Sequence, residues 1–177
     1  MTSKKQAEFD RSLDRVISEV HNLRGTTACM LAAANERAAN LFLQAAVGAL
    51  QSDLLIRLIR VLERDPKVRS FWFLYHLDRV RVSRGIDVKK LKNLSVQLRK
   101  IRNKVFVHID KDGVFDPRQA YKDAGIRGID IRAAIDDLWL TLTRLYREQF
   151  GREFSGTPTK LDDLSKDFRR DFQKLRR

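Results

Sequence analysis

The chain has 177 residues, 43% of them hydrophobic and 33% charged, a balance that fits one packed domain and argues against a disordered chain. Its only cysteine, Cys29, excludes an intramolecular disulfide and speaks against a cysteine-built zinc site. The net charge of +13, from 36 Lys or Arg against 23 Asp or Glu, points to a polyanionic partner, nucleic acid before others. No apolar leader opens the sequence and no run reaches roughly 18 apolar residues, so a cytoplasmic chain without a membrane span is expected. With 8 Gly and 3 Pro in the whole chain, breakers are scarce and long helices are expected.

In chain order, Ser3 and Gln6 have capping-box spacing, and Phe9, Leu13, Val16, Val20 and Leu23 form one stripe on a helix expected to end near Arg24-Gly25. An alanine-rich stretch leads into a second long helix. Leu41, Ala45, Leu55, Leu58 and Leu62 are expected on its buried side, and it stops where Asp65 meets Pro66. The segment KVRSFWFLYHLDRVRVSRG predicts a third helix closed by Gly85, with Phe71, Trp72, Phe73 and Tyr75 as core rather than base-stacking aromatics. Asp87 caps a fourth, whose stripe of Leu91, Leu94, Leu98, Ile101 and Val105 extends to His108. A loop with Asp110, Asp112 and Asp116 follows; its glycine comes too early for an EF-hand, so it is turn chemistry. Asp130 caps a fifth helix with Ile131, Ile135, Leu138, Leu142 and Leu145 on one side. A last segment places Leu161, Leu164, Phe168, Phe172 and Leu175 on one stripe among basic residues. Too short to be stable alone, that segment is expected to dock on the bundle or on a partner. The pattern is all-α, an antiparallel helical bundle over residues 1–155 with a basic amphipathic helix over 156–177.

Most of the positive charge is concentrated. From Arg57 to Lys104 there are 15 Lys or Arg against four acids, a net of +11. This tract ends in IRNKVFVHID, residues 101–110. No Gly-rich phosphate loop, nucleophile elbow or His-x-x-x-His pair occurs anywhere, so neither a metal site nor a bound cofactor is expected. Arg102 and His108 suffice for one reaction, attack of an RNA 2′-hydroxyl on its adjacent phosphate. An imidazole near neutral pKa moves the proton, and a guanidinium stabilises the added negative charge. Asn103 is placed to orient the imidazole or a phosphate. Spacing alone has little weight: five residues separate Arg15 from His21 and six separate Arg69 from His76. Those two histidines are assigned to packing or surface roles. On a straight helix Arg102 and His108 lie about 120° apart, so a bend, a long reach or a second subunit must bring them together.

The Arg102-Asn103-x4-His108 pattern resembles the ribonuclease members of the HEPN superfamily, named for higher eukaryotes and prokaryotes nucleotide-binding. Its context, ALQSDLLIRLIRVLERDPKVRSFWFL and LRKIRNKVFVHIDKD, is similar to the abortive-infection AbiU-like branch over roughly residues 30–150. The resemblance implies a homodimeric bundle that cleaves RNA without a metal ion, in phage defence or a toxin system with an antitoxin or defence partner. Arg102, His108 and Asn103 would be catalytic. One departure is that Asp110 stands where the nucleotidyltransferase-paired toxins carry a tyrosine, so control by modifying that tyrosine is not expected. Lys104, Arg99 and Lys100 are the expected RNA-binding residues. The alternative from the residues alone is a non-catalytic helical module that binds nucleic acid or protein.

Overall fold

A computed structural model of the chain describes residues 3–36, 41–103, 121–155 and 160–174. Among these, all regular structure is helical and no strand occurs: α1 (Ser3–Glu36), α2 (Leu41–Val61), α3 (Phe71–Leu77), α4 (Arg79–Val82), α5 (Val88–Arg102), α6 (Gly128–Phe150) and α7 (Leu161–Lys174). The expectations for Lys104, Val105, His108, the aspartate loop, Leu175 and the Phe172 side chain lie outside the described residues.

Helix α1 is the axis of the molecule, and α2, α3, α6 and α7 all pack against it. Phe9, Leu13, Val16, Val20 and Leu23 are buried as their spacing requires. The helix does not stop at Gly25. The stripe continues through Thr27, Ala28 and Ala32, all buried, and the Thr27 hydroxyl donates back to the Leu23 carbonyl at 2.7 Å. A mid-helix glycine costs about 1 kcal/mol, which this further burial outweighs. At the start of the helix, Gln6 donates to Asp10 at 2.8 Å.

Helix α2 runs antiparallel to α1, with Thr26 opposite Asp53 and Glu19 opposite Arg57 and Arg60. Its buried side is Val47, Leu54, Leu55, Leu58 and Val61, with Leu62 just beyond. Leu41 is 83% exposed and Ala45 is also exposed, contrary to the sequence reading. The first half of α2 is apolar on nearly every side, so periodicity cannot select its inner face. Among the described residues α2 is the one helix long and apolar enough to cross a membrane by length and composition. Here Leu54, Leu55 and Leu58 pack in the protein core, and Asp53 holds Arg57 at 2.7 Å.

The expected third helix is two. Asp78 adopts φ −146° and ψ 83°, ends α3 and starts α4, its carboxylate accepting from the Arg81 N–H at 3.1 Å. Aspartate competes for backbone donors in this way, so it interrupts a helix that hydrophobic periodicity alone would run through. Phe71, Trp72 and Leu74 are core, and the Trp72 indole N–H donates to Ser95 on α5 at 2.9 Å. Asp87 caps α5 as expected, accepting from the Lys90 N–H at 3.0 Å.

Residues 121–126 end in a Schellman-type turn. The Ile126 N–H donates to the Tyr121 carbonyl at 2.9 Å across Gly125, whose φ of 67° favours glycine. Helix α6 begins at Gly128, so Asp130 lies in its first turn and does not cap it as expected; its carboxylate accepts from the Arg127 guanidinium at 2.8 Å. Its predicted stripe, Ile131 to Leu145, is buried throughout. Helix α7 docks on the bundle: Leu161 is fully buried, and Leu164 and Phe168 pack on the core.

Candidate nucleic-acid interface

The turn between α2 and α3, ERDPKVRS, is tied down by its own polar groups. The Asp65 carboxylate accepts from the Lys67 N–H at 2.9 Å across Pro66, a common turn device. Buried Ser70 donates its hydroxyl to the Glu63 carbonyl at 2.5 Å and accepts from the Phe73 N–H as the cap of α3. Glu63 is therefore fixed along its main chain. Its side chain folds back on the same turn, with Oε1 accepting from the Arg64 N–H at 2.9 Å.

The other carboxylate oxygen, Oε2, accepts from Nη1 of Arg102. Arg102 is the last residue of α5, 39 positions further along the chain. Within the pair the Glu63 side chain is 14% exposed and the Arg102 side chain 38%. The pair joins the end of α2 to the end of α5, and among the described residues only Nη1 of the guanidinium is used, leaving the donors on its other edge unspent there.

Two grooves meet at this pair. One, of about 560 Å³, lies between α1, the end of α2 and the turn, and its basic lining is Arg15, Arg60, Lys67, Arg69 and Arg102 against Glu19 and Glu63. The other, of about 600 Å³, lies across the turn, where Arg64, Lys67, Arg99 and Arg102 face Glu63 and Asp65. Arg60 and Glu19 are loosely paired at 4.0 Å. Arg64, Lys67, Arg69 and Arg99 make no ion pair among the described residues, so their charge is available to a ligand. Concentrated positive charge in a concave surface attracts anions.

The expected site residues divide as follows. Arg102 and Arg99 line the grooves. Asn103 continues the helical backbone, its N–H donating to the Arg99 and Lys100 carbonyls, and its side chain is exposed beside Arg102. Lys100 is exposed but lines neither groove. Lys104 and His108 lie outside the described residues. His21 is tilted against Trp139 at 5.6 Å and meets Phe154 edge-on at 5.9 Å, and His76 meets the Tyr75 ring edge; both histidines are exposed, in keeping with the packing or surface roles expected. Among the described residues no group of three or more His, Cys, Asp or Glu is placed to hold a metal ion.

Sequence reasoning missed Glu63. Its one local signal was its position two residues before Asp65-Pro66, where α2 had to stop. No family model, curated protein or solved structure matches this chain.

Proposed function

We propose that the protein is an endoribonuclease of the HEPN type that binds RNA along the basic grooves meeting at Arg102 and cleaves it without a metal ion. The observation that carries this reading is the position of Arg102, half-open and, among the described residues, with unused donors, at the junction of two grooves lined by cations that make no ion pair there. A phosphodiester lying across the turn would meet Arg99, Arg64 and Arg102 together. In the proposed reaction the 2′-hydroxyl attacks the phosphorus, His108 transfers the proton, and Arg102 stabilises the added negative charge. The products are a 2′,3′-cyclic phosphate and a 5′-hydroxyl. Asn103 orients the reacting groups, and Lys104, Arg99 and Lys100 guide the strand. Two copies would share the cleft, in a cytoplasmic phage-defence or toxin system with an antitoxin or defence protein as partner.

The test is incubation of the purified protein with RNA in EDTA. Wild type should cut, and His108→Ala and Arg102→Ala should each lose about 10²-fold or more. Equal cutting by all three sinks the assignment. A second reading, a non-catalytic nucleic-acid-binding module, is favoured by one observation: Arg102 already has a carboxylate partner in Glu63. Binding without cleavage, unchanged in His108→Ala, decides for it.

A further inference from the structure

We infer that Glu63 is a positioning residue for phosphate recognition, holding Arg102 by one edge so that its other edge is presented to an RNA phosphodiester. This inference rests on the RNA-binding reading above. The competing role for an acid beside the key arginine is an anionic stand-in, which occupies the phosphate position and must be displaced.

Three observations separate the two roles. First, Glu63 cannot easily leave. Its Oε1 is held by the Arg64 N–H at 2.9 Å and its carbonyl by the buried Ser70 hydroxyl at 2.5 Å, so the carboxylate is part of the turn rather than a swinging arm. Second, the pair is asymmetric in exposure. Both side chains border the two grooves, but the Glu63 side chain is 14% exposed against 38% for Arg102, so the guanidinium is the more open partner. An anionic stand-in would show the reverse order, a carboxylate more open than the arginine it pairs with. Third, a guanidinium carries five N–H donors in a fixed planar fork, and Glu63 takes one nitrogen. The remaining edge suits two oxygens of a phosphate.

The effect expected is one of preorganisation. A long arginine side chain ordered before the ligand arrives saves the cost of ordering it on binding, about tenfold in affinity for one such side chain. Against this stands the electrostatic cost of one carboxylate in a groove that binds an anion. The two effects have opposite signs, which makes the inference testable.

The experiment measures binding of a short fluorescent 2′-O-methyl oligoribonucleotide, which lacks the attacking hydroxyl and stays intact. Glu63→Gln, Glu63→Asp, Arg102→Ala, Arg99→Ala and the Glu63→Gln/Arg102→Ala double variant are titrated at several salt concentrations, with Tm recorded for each. Glu63→Gln should bind about tenfold more weakly although it makes the groove more positive. It should also lower the slope of log K against log salt by about one, as Arg102→Ala does. The double variant should bind no worse than Arg102→Ala alone. Glu63→Asp keeps the charge, shortens the reach and should weaken binding too, which covers the case in which Glu63→Gln does not fold. Tighter or unchanged binding by both Glu63 variants, with Arg102→Ala and Arg99→Ala still impaired, overturns the positioning role and leaves the RNA reading standing. A wild type that does not bind the oligomer overturns both. A lowered Tm with an unchanged salt slope marks Glu63 as structural only and also overturns the inference.

Discussion

Burial alone raises the Asp78 carboxyl, but hydrogen bonds from the Arg81 N–H and guanidinium outweigh it and hold the group below its ordinary value. A depressed folded-state pKa gives stability that is complete above the unfolded value of about 3.9 and is lost as the pH falls through the folded one. Wild type should therefore lose more stability than Asp78→Asn as pH drops from about 5 to about 3, read from urea titrations at each pH. Asp136 has the opposite sign. Burial raises its carboxyl despite the Leu161 N–H and the nearby Arg24, so its ionisation weakens the fold and acid does not harm it. A second residue-scale test concerns Trp72. Removing its acceptor with Ser95→Ala leaves a buried indole N–H unpaired, and chemical denaturation should show a loss of about 1–3 kcal/mol. Neither Asp78 as a helix break nor Glu63 as an arginine clamp was legible in the sequence. Both depend on where a carboxylate finds donors: Asp78 in its own turn, Glu63 in its turn and on a helix 39 residues away.

Hydrophobic spacing located the inner faces of α1, α5 and α6 because those helices carry polar residues on their other sides. It failed for the first half of α2, where apolar residues surround the axis and Leu41 and Ala45 face outward. Gly25 was misread as an end because glycine usually marks one. It lies on a half-exposed position of α1, and a Cβ added there meets nothing within 4 Å. Gly25→Ala should consequently stabilise the protein by about 0.5–1 kcal/mol, seen as a higher midpoint in urea. The apolar docking of α7 is joined by a hydrogen bond at its start, where Asp136 accepts from the Leu161 N–H at 3.2 Å. Asp136→Asn keeps an acceptor there and should leave α7 in place. Asp136→Ala removes it, costs about 1 kcal/mol, and should speed hydrogen exchange of the α7 amides relative to α6.

At the scale of the whole molecule, the +11 tract is not one uniform surface. Arg57, Arg81 and Lys90 are paired with acids and Arg102 is held on one edge by Glu63, while Arg64, Lys67, Arg69 and Arg99, which make no ion pair among the described residues, gather at one turn. The sequence revealed the excess of charge but not this division, because pairing is decided by contacts between elements. Expression in bacteria should be toxic under the ribonuclease reading, with growth restored by His108→Ala. Equal growth with both chains would count against cleavage. The extent of α1 has a consequence for how the protein is made. Its 34 residues span about 50 Å, and its inner stripe is completed by α6 and α7, whose first residues are Gly128 and Leu161. At about 5–20 residues per second, a ribosome needs several seconds to go from the end of α1 to the start of α6. Through that interval the nascent helix can pair with α2 and α3, while the side it later gives to α6 and α7 stays uncovered.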